Sequence, residues 1–523
     1  MPLIGRRAFL LGLASLAAGL SGGAQAAVPR LGPPEPFSWE GLVAQARARA
    51  ARPYAPRPIP APAILDRLDY VAHRAIRHPA ANGLFAERPG ASPVTLFHLG
   101  TLFRSPVRIL ALENGIAREA LYDPALFTYP PGSPAAEMPP GAGFAGFRVH
   151  DPLHDPAATP GVEPDDWLAF LGASYFRQAG DLRQYGVSAR GIAIDVAASA
   201  PEEFPAFVAF WVEPFAQGRG RVYALLDGPS VTGAYRFDLR ARPASTDVAC
   251  EVFLRRDVER LGFGVCTSMF WYAPTTRWDG HDWRPSVHDS DGLLLRTGRD
   301  EWIWRPLVNP PGAFMSIFSD ASPRGFGLVQ RERALESYLD TTVRYERRPN
   351  LWVEPLGDWG RGSVQLLEFG TRSEFEDNIA AFWTPAAPAR AGNAYSLAYR
   401  LTWSVEDPLP DGLGRVTAAR FNLGERLPDG SVQRFLGADF RGAPLASVPP
   451  DRLRAEVTAS RGTVSDVVIE ALDADRTWLQ VHHQLVTTGA APVDVTTRLI
   501  GPNGPVAETL VRQLHPDDRL RTR

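Results

Sequence analysis

The sequence predicts an all-β protein in which a large antiparallel β domain precedes a smaller immunoglobulin-like sandwich. Short apolar stretches recur along the chain, and proline, glycine, aspartate or asparagine separates nearly all of them. The 523 residues include 49 prolines and 47 glycines, so turn formers are abundant. Hardly any stretch shows the sustained period of a long amphipathic helix. Short strands at this density of turns are typical of antiparallel β structure.

Residues 1–26 form a predicted export signal. Arg6 and Arg7 precede an apolar run over residues 8–20, and Ala24-Gln25-Ala26 is typical of a cleavage site. The run is too short to span a bilayer. The paired arginines are similar to a twin-arginine signal, so we expect the twin-arginine export machinery to carry the folded chain. No later stretch is typical of a transmembrane segment, which predicts a mature periplasmic protein that is not embedded in the membrane.

Residues 27–404 make up the predicted large domain. Its first part is rich in proline and alanine and holds one helical candidate, residues 39–50, with Ser38 as the N-cap. Residues 65–77 fit either a short strand or a helix. Predicted strands then follow at residues 94–99, 106–111, 144–149, 166–171, 192–196, 207–212, 222–226, 233–239, 249–255, 268–272, 300–304 and 327–330.

Residues 405–416 are a predicted linker, because VEDPLPDGLG at residues 405–414 combines proline and glycine with few large apolar groups. Residues 417–523 form the predicted second domain. Apolar and polar residues alternate there over residues 453–458 and 493–499, and about seven strands fit into it. That number and spacing predict the immunoglobulin-like sandwich.

The two cysteines, Cys250 and Cys266, flank a predicted hairpin turn near residues 259–262. A cross-strand disulfide and two separate buried thiols both fit this arrangement. Two cysteines cannot form a zinc site by themselves, and we predict neither a metal site nor a cofactor.

Several functional classes are excluded by composition and motif. The net charge of −3 gives no basic footprint for nucleic acid. The sequence contains no Gly-x-Ser-x-Gly elbow, no His-Glu-x-x-His, no phosphate loop and no Gly-x-Gly-x-x-Gly opening a helix. The remaining candidates for chemistry are carboxylates and aromatic side chains.

The stretch from Arg284 to Trp304 concentrates these residue types. Asp289 and Asp291 lie two residues apart, which on an extended backbone places both carboxylates on one side. Trp302 and Trp304 close the stretch. Carboxylates that bind hydroxyls beside flat aromatic faces suit a sugar. A turn between two strands with the tryptophans in the core explains the same pattern.

A second acidic stretch lies at residues 374–383. Asp377 follows Glu374 and Glu376 and precedes an apolar run. Glycosidic bond cleavage takes one carboxyl group as an acid and another as a base or nucleophile, and the acid must stay protonated near neutral pH. Asp377 fits the acid, and Asp289 or Asp291 fits the base. Tryptophans near these acids favour carbohydrate binding, although indoles also fill β-sheet cores.

The same stretches carry a resemblance to the periplasmic glucans biosynthesis family, proteins G and D. The resemblance extends from about residue 35 to the end of the chain. The matching motifs include FHLGTLFRSPVRI (97–109), FLGASYFR (170–177), YGVSARGIAID (185–195), RPSVHDSDGL (284–293), EWIWRPLVNP (301–310), RRPNLWVEP (347–355) and DNIAAFW (377–383).

This resemblance implies a large β-sandwich like that of galactose mutarotase, followed by an immunoglobulin-like domain. It also implies endo-acting hydrolysis of β-1,2-linked glucan with inversion at the anomeric carbon. By motif, Asp377 corresponds to the acid and Asp289 to the base. We expect a groove that binds the glucan beside these two acids. Its predicted lining residues, inferred from residue type and neighbourhood, are Asp291, Trp271, Tyr345, Arg348, Trp359 and Trp383.

A non-catalytic module that holds glucan for other enzymes is the alternative function. The sequence leaves the oligomeric state open, a homodimer included.

Overall fold

The computed structural model describes residues 29–151, 166–274, 282–422, 424–489 and 491–515. The predicted export signal at residues 1–26 lies outside them. The described chain is mainly β-strand, which confirms the all-β prediction. The likeness to galactose mutarotase and the domain boundaries stay predictions. Among the described residues, no helix has both the length and the apolar character needed to cross a bilayer.

The helices of the described residues are few and short. The α-helices span Trp39–Ala50 (α1), Pro62–Leu65 (α2), Tyr70–Arg74 (α3) and Ala443–Ala446 (α4). Single turns of 3-10 helix span Ala80–Asn82, Pro124–Leu126, Pro134–Glu137, Leu335–Ser337, Tyr345–Arg347 and Pro450–Arg452.

The strands follow one another closely along the chain. Strands β1 to β18 span, in order, Leu31–Pro36, Ala91–Ser92, Val94–Phe97, Arg108–Glu113, Ile116–Ala120, Gly146–His150, Asp166–Leu171, Tyr175–Gln178, Ser188–Arg190, Ala193–Ile194, Ala206–Val212, Phe215–Ala216, Arg219–Asp227, Val231–Ala241, Ala244–Leu254, Leu261–Ser268, Phe270–Tyr272 and Val287–His288. Strands β19 to β35 span Gly292–Arg296, Trp302–Pro306, Phe314–Asp320, Gly325–Val329, Asn350–Pro355, Gly362–Glu368, Ile379–Pro385, Ala394–Ser404, Arg415–Phe421, Glu425–Arg426, Val432–Arg441, Arg454–Ala459, Thr463–Ala471, Trp478–Thr487, Val493–Gly501, Gly504–Pro505 and Thr509–Leu514.

Helix α1 begins and ends where the sequence predicts. The Ser38 hydroxyl accepts a hydrogen bond from the Gly41 N–H at 3.0 Å, which satisfies one of the free donors of the first turn. Leu42 and Ala46 are buried against the sheet. The stretch at residues 65–77 contains α3, so its helical alternative is confirmed.

The largest sheet has the spatial order β1, β5, β4, β11, β13, β14, β15, β26, β23, β22, β19, β20, β35, β33 and β30. Neighbours are antiparallel except at β4–β11 and β20–β35. Strand β15 shows the underlying pattern, because buried residues alternate with half-buried ones along most of its length. One face of this sheet therefore covers a core.

The second sheet has the order β21, β24, β25, β16, β9, β8, β7, β6 and β3, with β10 paired to β16. Aromatic side chains join it to the largest sheet. Phe170 meets Phe237 edge-on with ring centroids 5.2 Å apart, and Phe147 meets Phe210 at 5.1 Å. These contacts belong to one continuous hydrophobic core.

The C-terminal strands divide between two sheets. Strands β27, β29, β32 and β31, with β28 paired to β29, form a separate sheet, whereas β30, β33 and β35 extend the largest one. The connection is the parallel pairing of Ile303 with Thr509 and of Trp304 with Leu510. Trp304 packs in the same cluster as Phe440 of the separate sheet. The C-terminal part therefore shares backbone hydrogen bonds and core with the part before it.

Both cysteines are free, buried thiols, which decides between the two alternatives that the sequence left open. Cys250 lies on β15 of the largest sheet and Cys266 on β16 of the second sheet. Burial raises the pKa of the Cys250 thiol to about 12, and burial also raises the pKa of Cys266. Both groups are therefore uncharged, poor nucleophiles near neutral pH.

We expect the native protein to resist a thiol reagent at pH 8 and to react fully after denaturation. The buried thiols are protonated and shielded when the chain is folded. Counting modified cysteines by mass spectrometry under both conditions checks this. Two unmodified cysteines in native protein and two modified ones in denaturant are predicted. No modification of unreduced, denatured protein would instead indicate a disulfide.

Candidate functional site

Asp289 lies in the bend between β18 and β19. Its backbone N–H donates to the Met269 carbonyl at 2.8 Å. The neighbouring Ser290 hydroxyl is hydrogen-bonded to that of Ser268 at 2.5 Å. The Asp289 carboxylate is buried, with 0% of the residue exposed, and forms an ion pair with the Arg348 guanidinium. An adjacent guanidinium favours the ionised carboxylate.

Asp377 is half-buried and lies two residues before the start of β25 at Ile379. The buried side chain of Asn378 fixes the backbone beside it. Its amide oxygen accepts from the Phe270 N–H at 2.8 Å, and its amide nitrogen donates to the carbonyls of Phe270 and Phe369, both at 2.9 Å. Three bonds to buried backbone groups hold this segment in one conformation.

The segments that carry Asp289 and Asp377 both bind one short piece of backbone, residues 269 and 270. Asp289 is bonded to Met269, and Asn378 is bonded to Phe270. This arrangement holds two segments that are distant in sequence on opposite edges of the same stretch of chain, at the junction between β16 and β17.

We expect Asn378→Ala to lower the free energy of unfolding by about 1–3 kcal/mol, because it leaves buried N–H and C=O groups of Phe270 without their partner. Urea unfolding followed by tryptophan fluorescence measures the change. Asn503→Ala, an exposed residue in the turn between β33 and β34, is the matched control and should change little. Equal effects of the two variants would contradict the role of Asn378.

A network of charged groups joins the two acidic segments at a second place. Arg284 contacts the carboxylates of Asp340 at 2.8 Å, Glu374 at 2.9 Å and Asp282 at 2.6 Å. The Tyr345 hydroxyl donates to Glu374 at 2.5 Å. Burial acts to lower the pKa of Arg284, but the bonds to Glu374 and Asp282 outweigh it and raise that pKa. Arg284 therefore stays charged and holds the loop before Asp377 against the segment before Asp289.

Arg348 connects Asp289 to Tyr345. The Arg348 guanidinium stands 4.4 Å from the centre of the Tyr345 ring, while also pairing with Asp289. Tyr345 is buried and stacks on Tyr338 with centroids 5.8 Å apart. Of these two predicted site residues, Arg348 is therefore the ion-pair partner of the candidate base, and Tyr345 packs against Arg348.

Asp291 takes partners different from those of Asp289. Its carboxylate accepts the backbone N–H groups of Arg331 at 2.6 Å and Glu332 at 2.8 Å. His288 contacts it at 3.5 Å, and burial lowers the pKa of that histidine. The backbone bends at Asp289 and Asp291 and is not an extended strand. Asp291 therefore anchors a neighbouring loop.

The predicted tryptophans fall into two groups. Trp271 is half-buried beside the site, and its carbonyl accepts from the Asn309 side chain at 2.8 Å. Trp359 and Trp383 are in the hydrophobic core, 6% and 2% exposed, with ring centroids 5.2 Å apart. Their prediction as groove residues is therefore corrected, because apolar packing and the Trp359 N–H bond to the Ala398 carbonyl occupy them.

The sequence did not predict several residues that the structure places at this site. Arg284 and Glu374 form the central ion pair, and Asp340 reaches it from a loop distant in sequence. Trp283 is 68% exposed and Phe375 is 44% exposed at the edge of the network. Trp283 directly precedes the motif at residues 284–293, and this position in the sequence could have identified it as a site residue.

The fold and the site define an all-β protein with a carboxylate-rich site bordered by exposed aromatic side chains. The chain belongs to the family described as periplasmic glucan biosynthesis protein, MdoG, whose model matches residues 37–514.

Relatives align over nearly the whole chain. Glucans biosynthesis protein D 2 of Ralstonia nicotianae is 46% identical over 500 residues, covering 93% of this chain and 92% of the relative. Glucans biosynthesis protein D of Stenotrophomonas maltophilia is 43% identical over 466 residues, covering 87% and 85%. Glucans biosynthesis protein D 1 of R. nicotianae is 40% identical over 533 residues, covering 97% of each.

Proposed function

We propose that this protein acts in the periplasm as an endo-acting, anomer-inverting hydrolase of β-1,2-linked glucan, and so controls the glucose backbone during glucan biosynthesis. The observation that carries the proposal is the joint anchoring of the Asp289 and Asp377 segments on residues 269 and 270. Two carboxyl groups held on one rigid frame are what glycosidic hydrolysis requires. The family and its relatives named for glucan biosynthesis support the substrate class.

In this proposal Asp377 is the acid and Asp289 the base. The Asp377 carboxyl group gives its proton to the glycosidic oxygen as the bond to the anomeric carbon breaks. The Asp289 carboxylate takes a proton from a water molecule, whose oxygen attacks that carbon from the opposite face. Inversion requires room for this water, and we expect the two carboxyl groups to lie roughly 6.5–9.5 Å apart.

Exposed aromatic rings bordering the site are the proposed contacts for the sugar rings. Trp283, next to Arg284 in the chain, and Phe375, next to Glu374, are both exposed, and Trp271 is half-buried. Ring C–H groups stack on such faces, while the half-buried Glu374 carboxylate offers acceptor oxygens to hydroxyl groups. Tyr345 and Arg348 act behind this surface by positioning Glu374 and Asp289.

The test is incubation of the purified mature protein with linear β-1,2-glucan, followed by measurement of reducing ends and of product length. Endo-acting hydrolysis predicts oligosaccharides of intermediate length early in the reaction. β-1,3- and β-1,4-linked glucans serve as controls and should not be cut. A folded protein that releases no reducing ends from the β-1,2-glucan would overturn the proposal.

A second candidate is a non-catalytic module that holds glucan for other enzymes. The complete burial of Asp289 and its pairing with Arg348 favour this alternative, because a base must reach water. The two candidates differ in outcome: the module binds the glucan and leaves its length unchanged.

A further inference from the structure

A cleft of about 510 Å³ lies away from the two carboxylates, between the largest sheet and the C-terminal part of the chain. One wall is formed by Trp302, Arg324 and Trp352 on the sheet side. Pro408, Pro410 and Pro505, with Leu413 and Ala507, form an apolar part of the lining, the proline wall. This volume falls within the range of roughly 300–1,000 Å³ typical of small-ligand sites.

The two indoles are held by the sheet in a defined orientation. Trp302 on β20 and Trp352 on β23 are nearly parallel, with an interplanar angle of 21° and centroids 5.7 Å apart. Between their strands, Gly325 on β22 leaves the space that the Trp352 ring occupies. A Cβ atom at Gly325 would lie 2.3 Å from Cζ2 of Trp352, so a larger residue would displace the indole. The glycine thus allows Trp352 to lie close to the sheet.

Charged groups of both signs surround these rings. Arg296 stands 5.4 Å from the centre of the Trp302 ring and pairs with Asp300 at 2.6 Å. Arg324 pairs with the same carboxylate at 3.2 Å and is half-exposed. Glu354 also lines the cleft. The balance of signs favours a neutral, hydroxyl-rich ligand, because an anion would need a cationic excess.

Strand β20 connects this cleft to the proposed active site. Trp302 begins the strand, and the Leu307 N–H, just beyond its end, donates to the Asp291 carbonyl at 2.8 Å. Five residues of extended chain span roughly 17 Å. A polymer of several sugar units is long enough to reach from one place to the other.

We propose that this cleft is a second carbohydrate-binding site, which holds a segment of the glucan outside the site of cleavage. The choice of ligand rests on the proposed function. Trp352 supplies the stacking surface, the proline wall excludes water, and Arg324 and Glu354 bind hydroxyl groups at the rim. A long glucan would occupy both sites, whereas a short oligosaccharide would occupy either one alone.

The experiment compares binding of long linear β-1,2-glucan by Asp377→Asn protein with binding by the same protein carrying Trp352→Ala. We expect Trp352→Ala to weaken binding about tenfold. Trp478→Ala is the matched control, because Trp478 is also half-buried and contacts Arg441 away from the cleft. In protein with both catalytic aspartates, Trp352→Ala should leave kcat/KM for a short oligosaccharide unchanged.

Arg324→Ala tests the same cleft without changing an indole, and thermal unfolding of each variant reports whether the fold is kept. Unchanged glucan affinity in folded Trp352→Ala and Arg324→Ala would overturn the second site while leaving cleavage intact. If the wild type does not cleave the glucan but binds it in a way that depends on Trp352, the proposed hydrolase alone would be overturned. Absence of any glucan binding would overturn the second site as well.

Discussion

Asp377→Asn is expected to reduce the release of reducing ends from linear β-1,2-glucan by about 10²–10⁴-fold, the usual contribution of a positioned proton donor. The amide has nearly the shape of the carboxyl group but cannot protonate the leaving oxygen. Binding of the glucan should remain, since Asn378 continues to hold the backbone through its bonds to Phe270. Reducing-end assays and titration calorimetry measure the two effects separately.

Asp289→Asn should reduce the release of reducing ends by a similar factor, because the amide cannot take the proton from the attacking water. Asp257→Asn is the control, because Asp257 is an exposed aspartate paired with Arg390. Its variant should cut at the wild-type rate. Activity that persists in Asp377→Asn would show that another group is the acid.

The second large effect concerns stability. Glu368→Leu is expected to lower the free energy of unfolding by about 3–5 kcal/mol, because it leaves a buried guanidinium without its counter-charge. Glu368 on β24 pairs with Arg305 on β20 at 2.8 Å, and both side chains are 0% exposed. Glu368 also accepts the Val308 N–H at 2.7 Å. The pair therefore joins the two main sheets.

Two further variants make this prediction specific. Asp257→Ala breaks an exposed pair and should cost less than about 1 kcal/mol. Arg305→Met combined with Glu368→Leu should recover much of the loss, because no unpaired charge then remains buried. Urea unfolding curves measure all three. A loss for Glu368→Leu no larger than for Asp257→Ala would contradict the account.

Local patterns predict local structure well in this chain. Ser38 and the residues after it contain the whole signal for α1, since the capping bond forms within one helical turn. Residues 166–171 likewise become the predicted strand β7. Helix α1 and strand β7 both depend on residues that are neighbours in sequence, so the sequence alone predicts them.

Contacts between residues that are distant in sequence could not be predicted from local patterns. Nothing in sequence indicates that Ile303 pairs with Thr509 in a parallel ladder, so the sharing of one sheet by the C-terminal part was not foreseen. Trp359 and Trp383 have acidic neighbours in sequence but apolar neighbours in space. Arg284 and Asp340 meet only after folding. Sequence located the two acidic segments, and folding decided which side chains surround them.

The most direct test of the central claim is a time-resolved ¹H NMR spectrum of linear β-1,2-glucan during hydrolysis by the wild-type protein. Inverting cleavage predicts that the new reducing ends appear first as the α-anomer and then equilibrate by mutarotation. First appearance of the β-anomer would contradict inversion and the roles given to Asp377 and Asp289. No new reducing ends from a folded protein would contradict hydrolysis itself.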